Sequence, residues 1–279
     1  MPDVCELAGQ CLRLRNQILD MVYTAGSGHC GGSLSSVEIL WTLYSRVLRV
    51  RPDHPHWEDR DRFILSKGHA APALYAVLAD RGFFDPSLLA TLRRAGSVLQ
   101  GHPDMRKTPG VEMSTGSLGM GISVGVGMAL GARLAGKAFR VYVLVGDGEL
   151  QEGQNWEALT ASSKYRLDNL TIIVDRNGVQ LDGPVDQIMP LLDLEAKLSE
   201  FGCAVHTCDG HDCRALLDAF SSAELLPGRP KAIIARTVKG KGVSFMEGQA
   251  AWHGKPLLAD DYRRAKAELS ASVSPVEAG

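Results

Sequence analysis

The sequence of 279 residues has no long apolar run and no block of like charge. Its most apolar stretch, residues 118–130, is too short and too rich in glycine to span a bilayer. The first ten residues are polar and acidic, unlike a signal peptide. Thirty basic and 32 acidic residues leave a formal charge of −2, which argues against general binding to nucleic acid or a membrane surface.

The sequence also has no cysteine pair of the C-x-x-C type. The six cysteines are Cys5, Cys11, Cys30, Cys203, Cys208 and Cys213. The last three are spaced more widely than the ligands of a zinc knuckle. We therefore expect reduced thiols in a cytoplasmic protein.

What the sequence does have is glycine, 30 residues of 279, in an otherwise ordinary globular composition with 45% hydrophobic residues. Excess glycine without low complexity indicates backbone that approaches a ligand closely or turns sharply. No repeat or linker divides the chain, so we expect a single domain over residues 1–279.

Apolar strand-like segments alternate with segments of helical periodicity along the whole chain. The predicted strands are residues 62–65, 140–145, 170–174, 204–207 and 232–235. The predicted helices are residues 6–23, one beginning at Ser35, 72–80, 118–135, 155–164, 191–201, one after His211, and 257–269. Ser35 and Glu38 have the spacing of a capping box. This alternation predicts an α/β fold, a parallel sheet with helices on both faces.

Two strong predicted strands end in similar polar motifs. Asp147 lies in a Gly-Asp-Gly motif after one, and Asn177 lies in an Asn-Gly motif after the other. Because ligands of α/β sheets bind beyond the carboxyl ends of the strands, we expect both side chains at one edge. A carboxylate and an amide oxygen suit a divalent cation bound to phosphate oxygens. Either motif alone is more often a simple tight turn.

Five of the eight histidines are next to a glycine, more than chance predicts. They are His29, His69, His102, His211 and His253. Such histidines are suited to proton transfer or to binding anions and hydroxyls. His211 precedes a predicted helix, so a role at the helix start is favoured there. His54, His56 and His206 are interpreted as structural.

A competing motif, Gly121-x3-Gly125-x-Gly127, has the spacing found in nicotinamide-dependent dehydrogenases. That motif should occupy the turn after a first strand, whereas here it lies inside a predicted helix. We interpret these glycines as positions that let the helix pack closely against a neighbour.

With these motifs in view, nearly the whole chain resembles the N-terminal, thiamine-diphosphate-binding segment of transketolase. The motifs that carry the resemblance are residues 27–29, 66–70, 101–104, 114–121, 146–148 with 177–178, 239–242 and 252–254. The pairing of Gly-Asp-Gly with a later Asn is general to thiamine-diphosphate enzymes. The histidine set is the part similar to transketolase in particular.

The resemblance implies a role for each matching residue. The implied Mg²⁺ ligands are Asp147, Asn177 and the backbone carbonyl of Val179. The implied contacts to thiamine diphosphate are His69, Gly116, Ser117, Leu118, Gly148, Asn177, His253 and, on the substrate side, Lys239. The implied catalytic histidines are His29, His102 and His253, which would hold the sugar oxygens and move protons. Cys30 stands where many relatives have proline, and the sequence gives no functional reason for it.

The implied reaction is transfer of a two-carbon ketol unit from a ketose (phosphate) to an aldose (phosphate). A complete transketolase is more than twice this long, and no pyrimidine-binding or C-terminal domain is recognisable here. We therefore expect one subunit of a split transketolase, with those domains on a second chain and homodimerisation of the pair. The chain alone should have negligible activity.

Several alternatives stay open at this stage. One is the α chain of the first component of a 2-oxo acid dehydrogenase, which the histidine set disfavours. Others are a fragment of a deoxyxylulose-phosphate synthase and a transketolase-like enzyme for a branched or sulfonated ketose. A non-catalytic cofactor-binding partner is the last. The sequence does not identify the ketose donor or the aldose acceptor.

Overall fold

The computed structural model describes residues 4–272, with side chains from residue 9 onward. The strands in this part of the chain are β1 (Arg62–Leu65), β2 (Val141–Gly146), β3 (Leu170–Arg176), β4 (Ala204–Asp209) and β5 (Lys231–Arg236). The α-helices there are α1 (Val4–Ala25), α2 (Cys30–Leu34), α3 (Val37–Thr42), α4 (Ala71–Asp80), α5 (Gly121–Leu134), α6 (Gly153–Lys164), α7 (Val185–Ile188), α8 (Leu194–Glu200), α9 (Cys213–Glu224) and α10 (Ala259–Ala271). Short 3₁₀ turns occupy Gly68–Ala70, Pro86–Thr91, Gly148–Gln151 and Ala250–His253, and a π-helical turn, Leu43–Val47, follows α3.

The strands form one parallel sheet in the order β1-β2-β3-β5-β4. Side chains alternate between its faces, as the pleat requires. In β2, Tyr142 and Leu144 join one apolar core, and Val143 and Val145 join the other. The first core includes residues of α1 to α4, α9 and α10, and the second includes residues of α5, α6 and α8. The predicted α/β sheet covered on both faces is confirmed.

The predicted capping box at Ser35 and Glu38 is wrong. The helix α3 begins only at Val37, and no side chain caps it. Ser35 Oγ donates instead to the backbone oxygen of Gly32 and to Asp175 Oδ2. Glu38 is buried and accepts hydrogen bonds from Arg15. Both side chains thus serve distant charged partners rather than the local helix end.

The glycine-rich helix α5 packs closely on the sheet, as expected. A Cβ atom on Gly125 would lie 2.6 Å from Val143 Cγ2. The helix begins at Gly121, three residues later than predicted, and residues 116–120 form a loop.

The thiols of the cysteines from Cys11 onward are free, and the side chain of Cys5 lies outside the described residues. Over residues 4–272, no helix combines the length and apolar character needed to cross a bilayer.

Candidate active site at the carboxyl edge of the sheet

The ends of β2 and β3 bring the two predicted metal-binding side chains to one edge. These strands are adjacent and parallel, and Gly146 is in register with Asp175. Asp147 Oδ2 accepts a hydrogen bond of 2.6 Å from the backbone N–H of Gly178, the residue after Asn177. Asn177 Oδ1 accepts from the N–H of Val179 at 3.1 Å. The expected proximity of Asp147 and Asn177 is therefore found.

Asp147 is a buried carboxylate whose direct hydrogen-bond donors are the neutral N–H groups of Gly148 and Gly178. Burial and the nearby carboxylate of Asp175 raise the pKa of Asp147 to about 6, although these hydrogen bonds and Lys67 oppose the shift. A cation would offset both unfavourable effects. No group of three His, Cys, Asp or Glu metal ligands occurs among residues 9–272. A metal here would therefore combine one carboxylate with neutral oxygens and phosphate.

Lys239 reaches the same edge from the loop after β5. Its ammonium donates to the backbone oxygen of Val179 and to Nδ1 of His253, both at 2.9 Å. Burial and the neighbouring Lys67 lower the pKa of Lys239 to about 8. The lysine is therefore protonated at neutral pH, and the proton of the neutral His253 ring lies on Nε2. Gly148, predicted to contact a diphosphate, donates its N–H to Asp147 Oδ1 in this structure.

Four histidines from four separate segments form a cluster beside these groups. The ring centroids of His69 and His253 are 4.7 Å apart in a stacked arrangement. The ring centroid of His29 lies 5.4 Å from that of His69, 5.5 Å from that of His253 and 6.3 Å from that of His102. His211, the fifth histidine next to a glycine, lies outside this cluster. The structure thus brings together all three predicted catalytic histidines and the predicted cofactor contact His69.

The clustered histidines are neutral at physiological pH. Burial and, to a smaller extent, the positive charge of Arg93 lower the pKa of His29 to about 4. Burial and, to a smaller extent, the positive charge of Lys239 lower the pKa of His253 to about 3. Burial and, to a smaller extent, the positive charge of Lys67 hold the pKa of His69 well below its ordinary value. The pKa of His102 is also lowered by burial and by Arg93. Neutral imidazoles can each donate and accept a hydrogen bond, as proton transfer with a hydroxyl requires.

Two adjacent glycines let the segments that carry the histidines approach each other closely. Gly31 and Gly32 lie in α2, where a Cβ on Gly31 would be 2.8 Å from the backbone oxygen of Trp252. A Cβ on Gly32 would be 3.1 Å from His69 Nε2. Cys30, which precedes them, is buried, and burial raises the pKa of its thiol to about 12. Cys30 is therefore not a thiolate nucleophile at neutral pH.

The loop that carries Gly116, Ser117 and Leu118 is held by a buried carboxylate that sequence reasoning missed. Glu149 Oε1 accepts from the N–H of Gly119 at 2.9 Å, and Oε2 accepts from the N–H of Gly146 at 3.1 Å. It therefore links this loop to the end of β2. Ser117 and Leu118 are exposed. The buried hydroxyl oxygen of Thr115, next to Gly116, has no hydrogen-bond partner.

A buried ion pair beneath the histidines was also missed. Lys67 contacts Asp175, and its ammonium also donates to the backbone oxygen of Gly32 at 2.9 Å. Asp175 accepts further hydrogen bonds from Ser35 and Thr237. Burial disfavours the charged form of Asp175, but Lys67 together with the hydrogen bonds from Ser35 and Thr237 outweighs burial and lowers the pKa of Asp175. The Ser66-Lys-Gly-His motif pointed to this region without revealing the distant partner.

Arg93 is another residue that the sequence did not single out. Its guanidinium lies 3.5 Å from His29 Nδ1 and donates to Ser27 Oγ at 3.3 Å. Arg93 has a φ of 61°, and its N–H donates to the backbone oxygen of Leu99. This loop geometry directs a positive charge to the histidine cluster.

His211 was expected to act at a helix start, but the structure gives it a different structural role. The N-cap of α9 is Asp212 rather than His211. His211 Nδ1 lies 2.9 Å from Glu38 Oε2, and its Nε2 accepts from the N–H of Val238 at 2.8 Å. It therefore ties the loop before Lys239 to α3.

The residues present fit the predicted cofactor in two respects. Asp147 is a buried carboxylate without a direct ion pair among the described side chains of residues 9–272, as a cation site requires. Thr115 has a buried hydroxyl without a partner beside the loop predicted to meet the aminopyrimidine ring. The individual site assignments stay predictions.

Comparison with known proteins gives a consistent result over almost the whole chain. A family profile described as the thiamine diphosphate binding domain of transketolase matches residues 10–276. The chain is 44% identical over 264 residues to the 6-deoxy-6-sulfo-D-fructose transketolase subunit SqwG of Clostridium sp. (strain MSTE9), covering 95% of this chain and 96% of that one. It is 41% identical over 263 residues to a subunit of the apulose-4-phosphate transketolase of Phocaeicola vulgatus, covering 94% and 93%.

A solved structure shows the same fold within a longer chain. The complex of Pichia stipitis transketolase with sedoheptulose 7-phosphate matches with a TM-score of 0.90 and 31% identity. The match covers 95% of this chain and 40% of that one. The chain thus spans nearly all of two relatives named as subunits and two-fifths of this transketolase.

Proposed function

The chain belongs to the transketolase family, as its thiamine-diphosphate-binding domain, and from that membership we propose that it forms one subunit of a two-chain transketolase using thiamine diphosphate with Mg²⁺. The family match and the relatives named as transketolase subunits confirm the family and the subunit type predicted from sequence. Residues 1–279 constitute a single diphosphate-binding domain in this proposal.

The observation that carries the proposal is the meeting of the two strand ends with the histidine cluster at one sheet edge. Asp147, Asn177 and the backbone oxygen of Val179 would hold Mg²⁺. Lys239 donates to Val179 in this structure, so that ammonium must turn when a metal takes the oxygen. Gly148, Asn177, His69 and His253 would contact the diphosphate.

The other end of the cofactor would lie against Gly116, Ser117 and Leu118. Bound thiamine diphosphate supplies the carbon nucleophile and the electron sink for ketol transfer. The histidines then act on the sugar. His29 and His102 are neutral, so each can accept a hydroxyl proton from the substrate and return it. His253 has its Nδ1 engaged by Lys239, so its Nε2–H would donate a hydrogen bond to a sugar or phosphate oxygen. Lys239 keeps His253 in a single tautomer by donating to Nδ1.

The proposal requires a second chain that carries the pyrimidine-binding and C-terminal domains. Exposed apolar side chains next to the site suit such a partner. They are Leu118 and Met120 on the loop before α5, and Leu181, Ile188 and Met189 on the segment after Val179. Two pairs would assemble into a heterotetramer. The free thiols from Cys11 onward support a cytoplasmic location.

The donor class follows from the relatives. One is named for 6-deoxy-6-sulfo-D-fructose and another for apulose 4-phosphate. Each donor has an anionic group on its sugar. We infer that this enzyme takes an unusual ketose with a terminal anionic group, and an aldose phosphate as acceptor.

Reconstitution tests the function. The chain is mixed with the protein encoded beside it, and ketose cleavage is measured with and without thiamine diphosphate and Mg²⁺. Activity should need both chains and both cofactors. Asp147→Asn should weaken cofactor binding by at least about 100-fold, whereas Asp168→Asn, at the opposite end of the sheet, should leave it unchanged. Turnover by the purified single chain would refute the need for a partner.

A further inference from the structure

The opposite end of the sheet has a cavity that the proposed function does not use. Its volume is about 750 Å³, and it is lined by residues preceding β2, β3 and β5 and by the ends of α5, α6 and α9. The active-site residues follow the carboxyl ends of the same strands. The seven residues of β3, at about 3.3 Å each, separate the two regions by roughly 20 Å.

The cavity is strongly basic although the whole chain is slightly acidic. Six cationic side chains and two carboxylates line it. The cations are Arg133, Lys137, Arg140, Lys164, Arg166 and Lys231. One carboxylate, Glu224, pairs with Arg140. The other, Asp168, accepts from the N–H of Gly228 at 2.8 Å.

Four of these cations have no carboxylate within salt-bridge distance among residues 9–272, and neutral groups hold them instead. Arg133 Nη1 donates to the backbone oxygens of Tyr165 and Arg166 at 2.7 and 3.1 Å. Arg166 Nε donates to the backbone oxygen of Gly228 at 3.4 Å. Lys164 lies over the ring of Tyr165. These hydrogen bonds orient the cations without neutralising them.

Lys231 is the most informative of the four, because only 4% of it is exposed. Its ammonium donates to the backbone oxygen of Asp168. Burial lowers the pKa of Lys231, Asp168 opposes that shift, and Arg140 adds to it. A charged ammonium this buried is costly unless an anion compensates it.

We propose that this basic cavity binds a small anion that carries at least two negative charges, of the phosphate-ester or pyrophosphate class. Arginine and lysine side chains on the three connections that lead into β2, β3 and β5 can contact separate phosphoryl oxygens at once. The cavity is in the usual size range of small-ligand sites. The proposal does not depend on the transketolase activity.

Binding to the full chain is measured by titration calorimetry with inorganic pyrophosphate in EDTA, which removes the metal that the cofactor site would need. A dissociation constant at or below about 1 mM is expected, weakening as salt rises to about 0.15 M. Glucose 6-phosphate is titrated in parallel. Tighter binding of that ester identifies an organic phosphate as the ligand, and tighter binding of pyrophosphate identifies an inorganic one.

Exposed residues provide variants that keep the fold. Lys164→Gln with Arg166→Gln should weaken pyrophosphate binding about tenfold. The matched pair Arg81→Gln with Lys197→Gln removes the same charges elsewhere and should not. Glu224→Gln, which frees Arg140, should tighten binding about threefold.

Asp147→Asn should not change pyrophosphate affinity, since it alters only the cofactor site. Equal affinity in the cavity variants and their matched controls would overturn the proposal. So would a loss of binding confined to Asp147→Asn, or no binding below about 10 mM.

Discussion

The two ends of the parallel sheet handle charge in opposite ways. At the carboxyl end, charged groups are buried, Lys67 is paired with Asp175, and the histidines above that pair are neutral. At the amino end, cations such as Arg166 are exposed and held by backbone oxygens. One end is therefore preorganised for proton transfer, whereas the other keeps uncompensated positive charge.

The difference comes from what covers each end. Glycines such as Gly31 and Gly32 let several segments approach each other at the carboxyl end, so water is excluded and each charge needs a partner. The amino end stays open, and water can solvate its lysines and arginines, apart from the buried Lys231. Substitutions at the two ends should consequently have very different effects.

The largest difference in the free energy of unfolding is expected between two Asp→Asn substitutions, one at each end of the sheet. Asp175→Asn leaves the Lys67 ammonium buried without a counter-charge, and it should lower the free energy of unfolding by about 3–5 kcal/mol. Asp168→Asn should cost less than about 1 kcal/mol, because its carboxylate is exposed. Urea unfolding of both variants measures this. Equal losses would contradict the contrast between the two ends.

A smaller effect concerns acid stability. Burial opposes the charge of Glu38, but Arg15 and His211 hold its pKa at about 2, below the ordinary 4.5. Ionised Glu38 should therefore stabilise the fold by up to about 3 kcal/mol above pH 4.5, and this contribution is lost as the pH falls toward 2. Glu38→Gln should remove it, which unfolding at pH 7, 5 and 3 will measure.

The matched control for this substitution is Glu224→Gln at the amino end, where the carboxylate is half exposed. It should change stability by less than about 1 kcal/mol at any of these pH values. A loss in Glu38→Gln that does not depend on pH would show that packing, not charge, explains the role of Glu38.

The histidine cluster gives a third comparison, in activity. His29→Gln should lower kcat of the assembled enzyme about 100-fold, because a group suited to proton transfer is lost. His56→Gln, at an exposed position, should have no effect. Steady-state kinetics with both chains and saturating cofactor tests this. Unchanged kcat in His29→Gln would remove that residue from the proposed proton transfers.

The smallest effect is expected in the basic cavity. Lys164→Gln should change the free energy of unfolding by no more than about 0.5 kcal/mol, since this side chain is exposed and has no ion pair among residues 9–272. Thermal unfolding without added phosphate measures it. A marked stabilisation by the substitution would mean that repulsion among the cations strains the native fold.

Sequence reasoning located the functional edge because its signals are local. Short apolar runs bounded by polar residues predicted β1 at residues 62–65, where the structure has it, and placed Asp147 and Asn177 at strand ends. Histidines next to glycine selected the four residues of the cluster. Each of these patterns can be read within about ten residues of chain.

The missed features all join residues that are far apart in sequence. The capping-box spacing of Ser35 and Glu38 was misleading, because Asp175, Arg15 and His211 engage these side chains instead. Glu149 and Arg93 gave no local signal, since their roles depend on loops folded against them.

The sequence by itself determined the succession of strands and helices along the chain, because the hydrophobic pattern of each segment shows which of its side chains are buried. It also determined which residue types occupy the strand ends. Only the tertiary structure decided which charges are paired, which histidines become neutral and where positive charge stays unpaired. Those properties depend on burial and on distances between groups, and folding alone sets both.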